Sequence, residues 1–140
     1  MSAEEDRAVE SAGVPASGTL PSLAMHAVIL DCAELAPLVA FWSAALGYVP
    51  WFEPFGQFAG LKPPPGDPRH GLPLIFQRVP EPKVVKNRAH VDYEAVDRAA
   101  EVDRLVGLGA SLVREVDDGP GLRWTVMADP AGNEFCVAQG

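Results

Sequence analysis

Residues 90–113, HVDYEAVDRAAEVDRLVGLGASLV, and residues 27–50, AVILDCAELAPLVAFWSAALGYVP, read as two copies of one pattern. Each opens on a short apolar strand, passes an acidic residue (Asp97 or Glu34), enters an amphipathic helix and closes on Leu-Gly. In the second copy His90 stands seven positions before Asp97, and in the first Ala27 stands seven before Glu34. Where one half carries an imidazole, the other carries a methyl group. Internal self-similarity of this kind means one supersecondary unit used twice. A site made from both units inherits the difference.

Working outward, Leu35, Leu38, Val39, Trp42, Ala45 and Leu46 recur at helical spacing, and Gly47 is placed as a left-handed cap. Pro37 falls in the first turn, where its missing N–H does no harm. The run LAMHAVILDC from Leu23 predicts a strand buried on both faces. Residues 48–62 then predict two short aromatic strands, 62–71 a Pro-rich loop and LPLIFQRV (72–79) a further strand. The second half repeats the order, with HVDYE as strand and a helix from Val96 to Leu108 that turns Val102, Leu105 and Val106 inward and is capped by Gly109. ASLVREV, LRWTVMA and NEFCVA supply three more strands. The sum is an α+β chain of two βαβββ modules, about 24–80 and about 88–138, in one domain over 23–140.

The remaining composition narrows the function classes. With 140 residues and 48% apolar content, one core is expected and two domains would be cramped. A formal net charge of −8 repels phosphate backbones and anionic lipid, so neither nucleic acid nor a membrane is an expected partner. Cys32 and Cys136 each sit in an apolar strand-like run outside any CxxC, which reads as two buried thiols in a reducing cytoplasm. Residues 1–22 are rich in Ala, Ser, Gly, Pro and acid, with no basic start and no apolar run. They read as a disordered arm and not as a secretory leader.

The chain resembles the vicinal oxygen chelate superfamily, the glyoxalase and bleomycin-resistance fold, and within it a glyoxalase-like branch of unassigned substrate. LDCAELAPLVAFWSAALGY carries the resemblance, with Trp42 in place of the usual Tyr, together with QRVPEPKVVKNRAHVD between the modules and DPAGNEF as the closing hairpin. The resemblance implies two modules curled into an open, barrel-like sheet whose concave side holds one divalent metal (Mn, Fe, Co, Ni or Zn). Matched residue by residue, His90 takes the first-strand ligand position of module two and Glu134 the last-strand position. Ala27 falls on the first-strand position of module one, where it supplies no donor, and His26 beside it should point to the other face. Any metal is therefore expected to be weakly held. In the last strand of module one Gln77 is the nearest polar candidate, a weak cation ligand but a good hydrogen-bond partner. Asp92 shares strand parity with His90 and reads either as orienting the imidazole or as accepting a backbone contact.

Trp51, Phe52, Phe55 and Phe58, with Trp124 in the second module, read either as an aromatic-lined cleft or as core and subunit interface. Lys83, Lys86 and Arg88 form the local concentration of positive charge and are candidates to hold an anionic group. His70, in the Pro-rich loop, reads as solvated. Three functions follow: a metal-dependent lyase, isomerase or dioxygenase with His90 and Glu134 as ligands and Glu134 as base; a metal-free binding or drug-sequestering protein; and a metal-free acid/base isomerase or cyclase using His90 or Glu134. The expected partner is a small oxygenated or aromatic molecule, and the expected assembly a homodimer. Removing residues 1–22 should move the melting temperature by no more than about 2 °C, less than a change of about 1 kcal/mol produces in a domain of this size. Light scattering at micromolar concentration should return twice the chain mass, and a monomer there would contradict the dimer.

Overall fold

Alternation along the chain sets the strands, and helical periodicity the two layers that cover them. In the computed structural model, which describes residues 18–140, module one runs β1 (Val28–Cys32), α1 (Leu35–Leu46), β2 (Val49–Phe55), β3 (Phe58–Lys62) and β4 (Leu74–Arg78). Module two runs β5 (Val91–Ala95), α2 (Arg98–Leu108), β6 (Ser111–Asp117), β7 (Arg123–Ala128) and β8 (Glu134–Gln139). The sheets have the orders β1-β4-β3-β2 and β5-β8-β7-β6, so each module pairs its first and last strands in parallel and the others antiparallel. The two four-stranded sheets do not close into a barrel. Most of the expected disordered arm, residues 1–17, lies outside the described residues.

Several boundaries differ from the sequence reading. The first strand begins at Val28 and not at Leu23, because its partner β4 offers Leu74 as the first paired residue and a lone bond from Val28 N–H to the Pro73 carbonyl before it. Leu23 and Met25, without a neighbouring strand, are exposed. Nor is β1 buried on both faces: Val28, Leu30 and Cys32 turn inward, while Ile29 is 54% exposed on the other side. The second helix begins at Arg98, after Asp97 accepts the Ala100 N–H at 3.1 Å, and Val96 is left exposed. Val102 and Leu105 are buried as expected, but Val106, at the rim of that narrow stripe, is 47% exposed.

Leu46-Gly47 ends α1 as the pattern requires. Gly47 adopts φ 68°, a left-handed conformation in which a Cβ is strained, and returns its N–H to the Ser43 carbonyl. On β3, Gly60 leaves room for the Phe52 ring of β2: a Cβ there would lie 2.3 Å from Phe52 Cε1. Arg104 of α2 donates to the carbonyls of Ala44 and Ala45 near the C-terminus of α1, where a cation also suits the helix dipole.

The core belongs to both modules. Leu38, Phe41 and Trp42 of α1 pack with Val102 and Leu105 of α2, and with Phe76, Phe135 and Val137 from the two sheets. Trp42 packs edge-on against Phe135 at 5.0 Å and at a tilt against Tyr93 at 5.5 Å, both from module two. Its indole N–H donates to Asp129 Oδ2 at 3.0 Å, while Asp129 Oδ1 accepts the N–H groups of Ala131 and Asn133. Burial pushes the Asp129 carboxyl up, and these donors oppose the shift without cancelling it. Replacing Trp42 by Phe removes the donor shared between modules and leaves part of a buried carboxylate unpaired. Urea denaturation should show a loss of about 1–3 kcal/mol, with far-UV dichroism unchanged.

Candidate functional site

Strand alternation separates the core-facing residues of each module from those on the open side. In β5, Val91, Tyr93 and Ala95 face the core, whereas His90, Asp92 and Glu94 are exposed on the other face. The parallel register pairs Val91 with Phe135 and Asp92 with Cys136, so Glu134 and Cys136 share the side of His90 and Asp92. Module one presents a different surface there. The register sets Ile29 beside Ile75 and Gly60, and Asp31 beside Gln77 and Phe58. The first sheet thus mixes aliphatic and aromatic side chains with Asp31 and Gln77 on its open face, and the second carries imidazole, carboxylate and thiol there.

Between the first strands of the two modules lies a cavity of about 380 Å³. One wall is Val28, Ile29 and Leu30 of β1, and opposite stand Tyr93 and Phe135; His90, Glu134, Asn87, Asn133 and Asp31 supply its polar groups. His90 and Glu134, singled out from the sequence, therefore border the same space. Gln77, Trp51, Phe58, Trp124, Lys86 and Arg88 lie outside its lining. Gln77 accepts the Cys32 thiol on its backbone carbonyl at 3.6 Å. Trp51, Phe52, Phe55 and Phe58 form a continuous ladder of ring contacts at 5.4–5.8 Å along β2 and β3. None of the four belongs to the buried core, which removes the core reading for them. His26 precedes β1 and rests against Trp51 at 5.3 Å. His70 is exposed, as read from the sequence.

Sequence reasoning missed what holds Glu134. Its Oε1 accepts the backbone N–H of Asn87 at 3.2 Å and faces the Lys83 ammonium at 3.3 Å. Lys83 is tied back to the Val85 carbonyl and packs its stem against Gly132, in the turn before β8. The segment between the modules thus folds over the start of β8. Burial raises the Glu134 carboxyl, but the Asn87 and Lys83 bonds outweigh it and the net shift is downward. A second unforeseen grouping lies two residues along: His90 Nδ1 is 3.7 Å from Cys136 Sγ and 3.9 Å from Asp92 Oδ1. Burial first, then the Asp92 charge, push the Cys136 thiol up.

The sequence matches the glyoxalase-like domain family over residues 27–138. The chain belongs to that family. Solved structures share its fold: the fosfomycin resistance protein FosX of Listeria monocytogenes, in complex with Mn(II) and 1S,2S-dihydroxypropylphosphonic acid, is 14% identical with a TM-score of 0.68, over 85% of this chain and 90% of that one. The bleomycin-binding protein of Streptomyces verticillus, in complex with copper(II)-bleomycin, is 21% identical with a TM-score of 0.58, over 86% and 99%. A glyoxalase-related enzyme of Fulvimarina pelagi is 17% identical with a TM-score of 0.62, over 84% and 88%. No curated protein matches the sequence at a significant level. No helix among the described residues is long and apolar enough to cross a membrane.

A metal held by His90 and Glu134 fits these residues poorly. Glu134 already shares its charge with an ammonium and an amide on Oε1, which leaves Oε2 as its one remaining donor atom, and Ala27 offers nothing from module one. The His90–Glu134 pair is accordingly a set of polar groups at one end of a cleft. Because the Glu134 pKa is below its ordinary value, its stabilising contribution is complete above about pH 4.5 and is lost as pH falls through the lowered value. Lys83→Met should raise the Glu134 pKa, read by carbon NMR of the carboxyl. An unchanged titration would mean that the ammonium does not hold this group.

Proposed function

We propose that the protein binds a small aromatic molecule carrying hydrogen-bond donors in the cleft between its modules, as a binding or sequestering protein that contacts this ligand directly and not through a metal ion. The observation that carries this reading is the cleft itself: an apolar slot between β1 and β5 that ends on His90, Glu134 and Asn87. Its volume, about 380 Å³, lies within the usual range for small-molecule sites, as does its mix of apolar walls and a few polar groups. The Mn(II)- and bleomycin-bearing relatives support a small-molecule role on this fold without specifying the ligand.

The polar end favours donors over acceptors. Both bonds to Glu134 fall on Oε1, leaving Oε2 to accept from a ligand. Asn87 Oδ1 is buried without a partner among the described residues. Asp31 adds a second carboxylate to the lining, while Lys83 is held against Glu134 outside it. A neutral or cationic aromatic molecule suits these groups better than an anionic one, because an uncompensated anion here would face two carboxylates.

Two dyes of similar size and opposite charge test this. Thioflavin T, a cationic aromatic, should bind one per chain at least about tenfold more tightly than the anionic 1-anilinonaphthalene-8-sulfonate, a difference of about 1.4 kcal/mol. Ile29→Trp, at an exposed position on the cleft wall, should fill the slot and weaken the cation by about tenfold or more. Equal binding of the two dyes, or binding indifferent to Ile29→Trp, would refute the assignment.

A further inference from the structure

We infer that His90, Asp92 and Cys136 form a three-ligand site for a borderline or soft divalent cation, zinc above all, on the open face of module two. This is not the pair implied by the family resemblance. It lies two residues further along β8, replaces the glutamate by a thiol, and draws nothing from module one.

The geometry comes from strand register. Asp92 and Cys136 are direct partners across the parallel β5–β8 ladder, and His90 precedes Asp92 by two on the same face. Among the described residues, these three side chains bring imidazole, carboxylate and sulfur atoms all within 4.8 Å of one another. Tetrahedral zinc, with bonds of about 2.3 Å to sulfur and about 2.0 Å to nitrogen, sets its ligand atoms roughly 3.3–3.6 Å apart. The observed 3.7 Å from His90 Nδ1 to Cys136 Sγ is within about 0.2 Å of this, and the 3.9 Å from His90 Nδ1 to the exposed Asp92 Oδ1 is about half an ångström beyond it. Cys136 is 3% exposed and fixed in the ladder, whereas the Asp92 side chain is 75% exposed. The rigid donor is thus at the base and the adaptable one at the mouth.

The chemistry of the set selects the ion. One thiolate, one imidazole and one carboxylate suit zinc, cobalt or nickel better than magnesium, calcium or manganese, which prefer all-oxygen shells. Three protein ligands leave a fourth position open. Lys86 and Arg114, whose positive charges act on the thiol, are both exposed. Because the His90 ring also borders the inter-module cleft, occupancy of the site would fix the orientation of one cleft wall.

Cobalt(II) is the diagnostic probe, since a cobalt–thiolate bond gives a near-ultraviolet charge-transfer band that oxygen and nitrogen ligands do not. Titrating chelator-treated full-length protein should give one cobalt per chain with that band, and zinc should displace it. Cys136→Ser should abolish the band and weaken zinc by at least about tenfold. Asp92→Asn, at an exposed position that folding tolerates, should weaken zinc while keeping the band. Cys32→Ser and Glu134→Gln should change neither by more than about twofold. Absence of 1:1 binding, cobalt binding without the band, or loss of binding in Glu134→Gln but not in Cys136→Ser would each overturn the site. Thioflavin T binding retained in Cys136→Ser separates failure of this site from failure of the cleft reading.

Discussion

A hydrogen bond between modules, from the Trp42 indole N–H to Asp129, ties the rest of the structure together. It does so because both partners have other duties. Trp42 is the buried centre of α1, and Asp129 organises the turn that begins β8 by accepting two of its backbone N–H groups. Joining them fixes the first helix of one module against the last hairpin of the other. Asn133, in the same turn, donates to the Asp31 carbonyl at the end of β1, so the seam is held at the floor as well as at the helix. The width of the cleft between β1 and β5 follows from these two contacts. A buried carboxylate with a raised pKa is costly, and its two-sided pairing limits that cost.

The modules have kept their scaffold and diverged on their open faces. Core positions correspond closely: inward alternation in β1 matches that in β5, and Leu-Gly closes both helices. On the open side, Ile29, Ile75, Phe52 and Phe58 stand against His90, Asp92, Glu134 and Cys136. Ring contacts along β2 and β3 stiffen the first of these faces, with Phe52 lying over Gly60. The linker biases the second: by placing Lys83 on Glu134, residues 81–89 pair the carboxylate nearest the seam with an ammonium, while Asp92 and Cys136, the next pair along the strands, lie beside the His90 imidazole.

The fold was legible in the sequence because every element is written in a local period. Strand alternation, the apolar stripe of Leu38, Phe41 and Trp42, and the Leu-Gly stops need no knowledge of distant residues. Errors arose where a partner decides. Leu23 to Ala27 read as strand, yet the parallel β4 begins only at Leu74, opposite Val28, and offers them no partner; Val106 read as core, yet the stripe is only wide enough for Val102 and Leu105. The site was half legible for the same reason. His90 and Glu134 were found from their places in a motif, and Asp92 from parity with His90. Cys136 read as a small buried hydrophobe, because nothing in a sequence states that it is the ladder partner of a residue 44 positions earlier. The hold of Lys83 on Glu134 was hidden likewise, since a segment of Pro, Lys and Val carries no periodic signal for its path.

The same alternation that built the two faces separates stability from chemistry on each strand. Tyr93, Phe135 and Val137 are committed to packing with Trp42 and Phe41, and a change there opens the core. His90 and Asp92 are exposed on the open face and can vary with less effect on folding, whereas Glu134 also anchors the linker through Asn87 and Lys83. Cys136 is the exception: it is buried, yet it sits on the open side of its strand and touches His90. A thiol is small and apolar enough to pack beneath a sheet surface while offering a donor to what lies above it. Serine there would bury a hydroxyl, and alanine would remove the donor. Cys136 is thus held in place by folding while its sulfur faces the His90 imidazole.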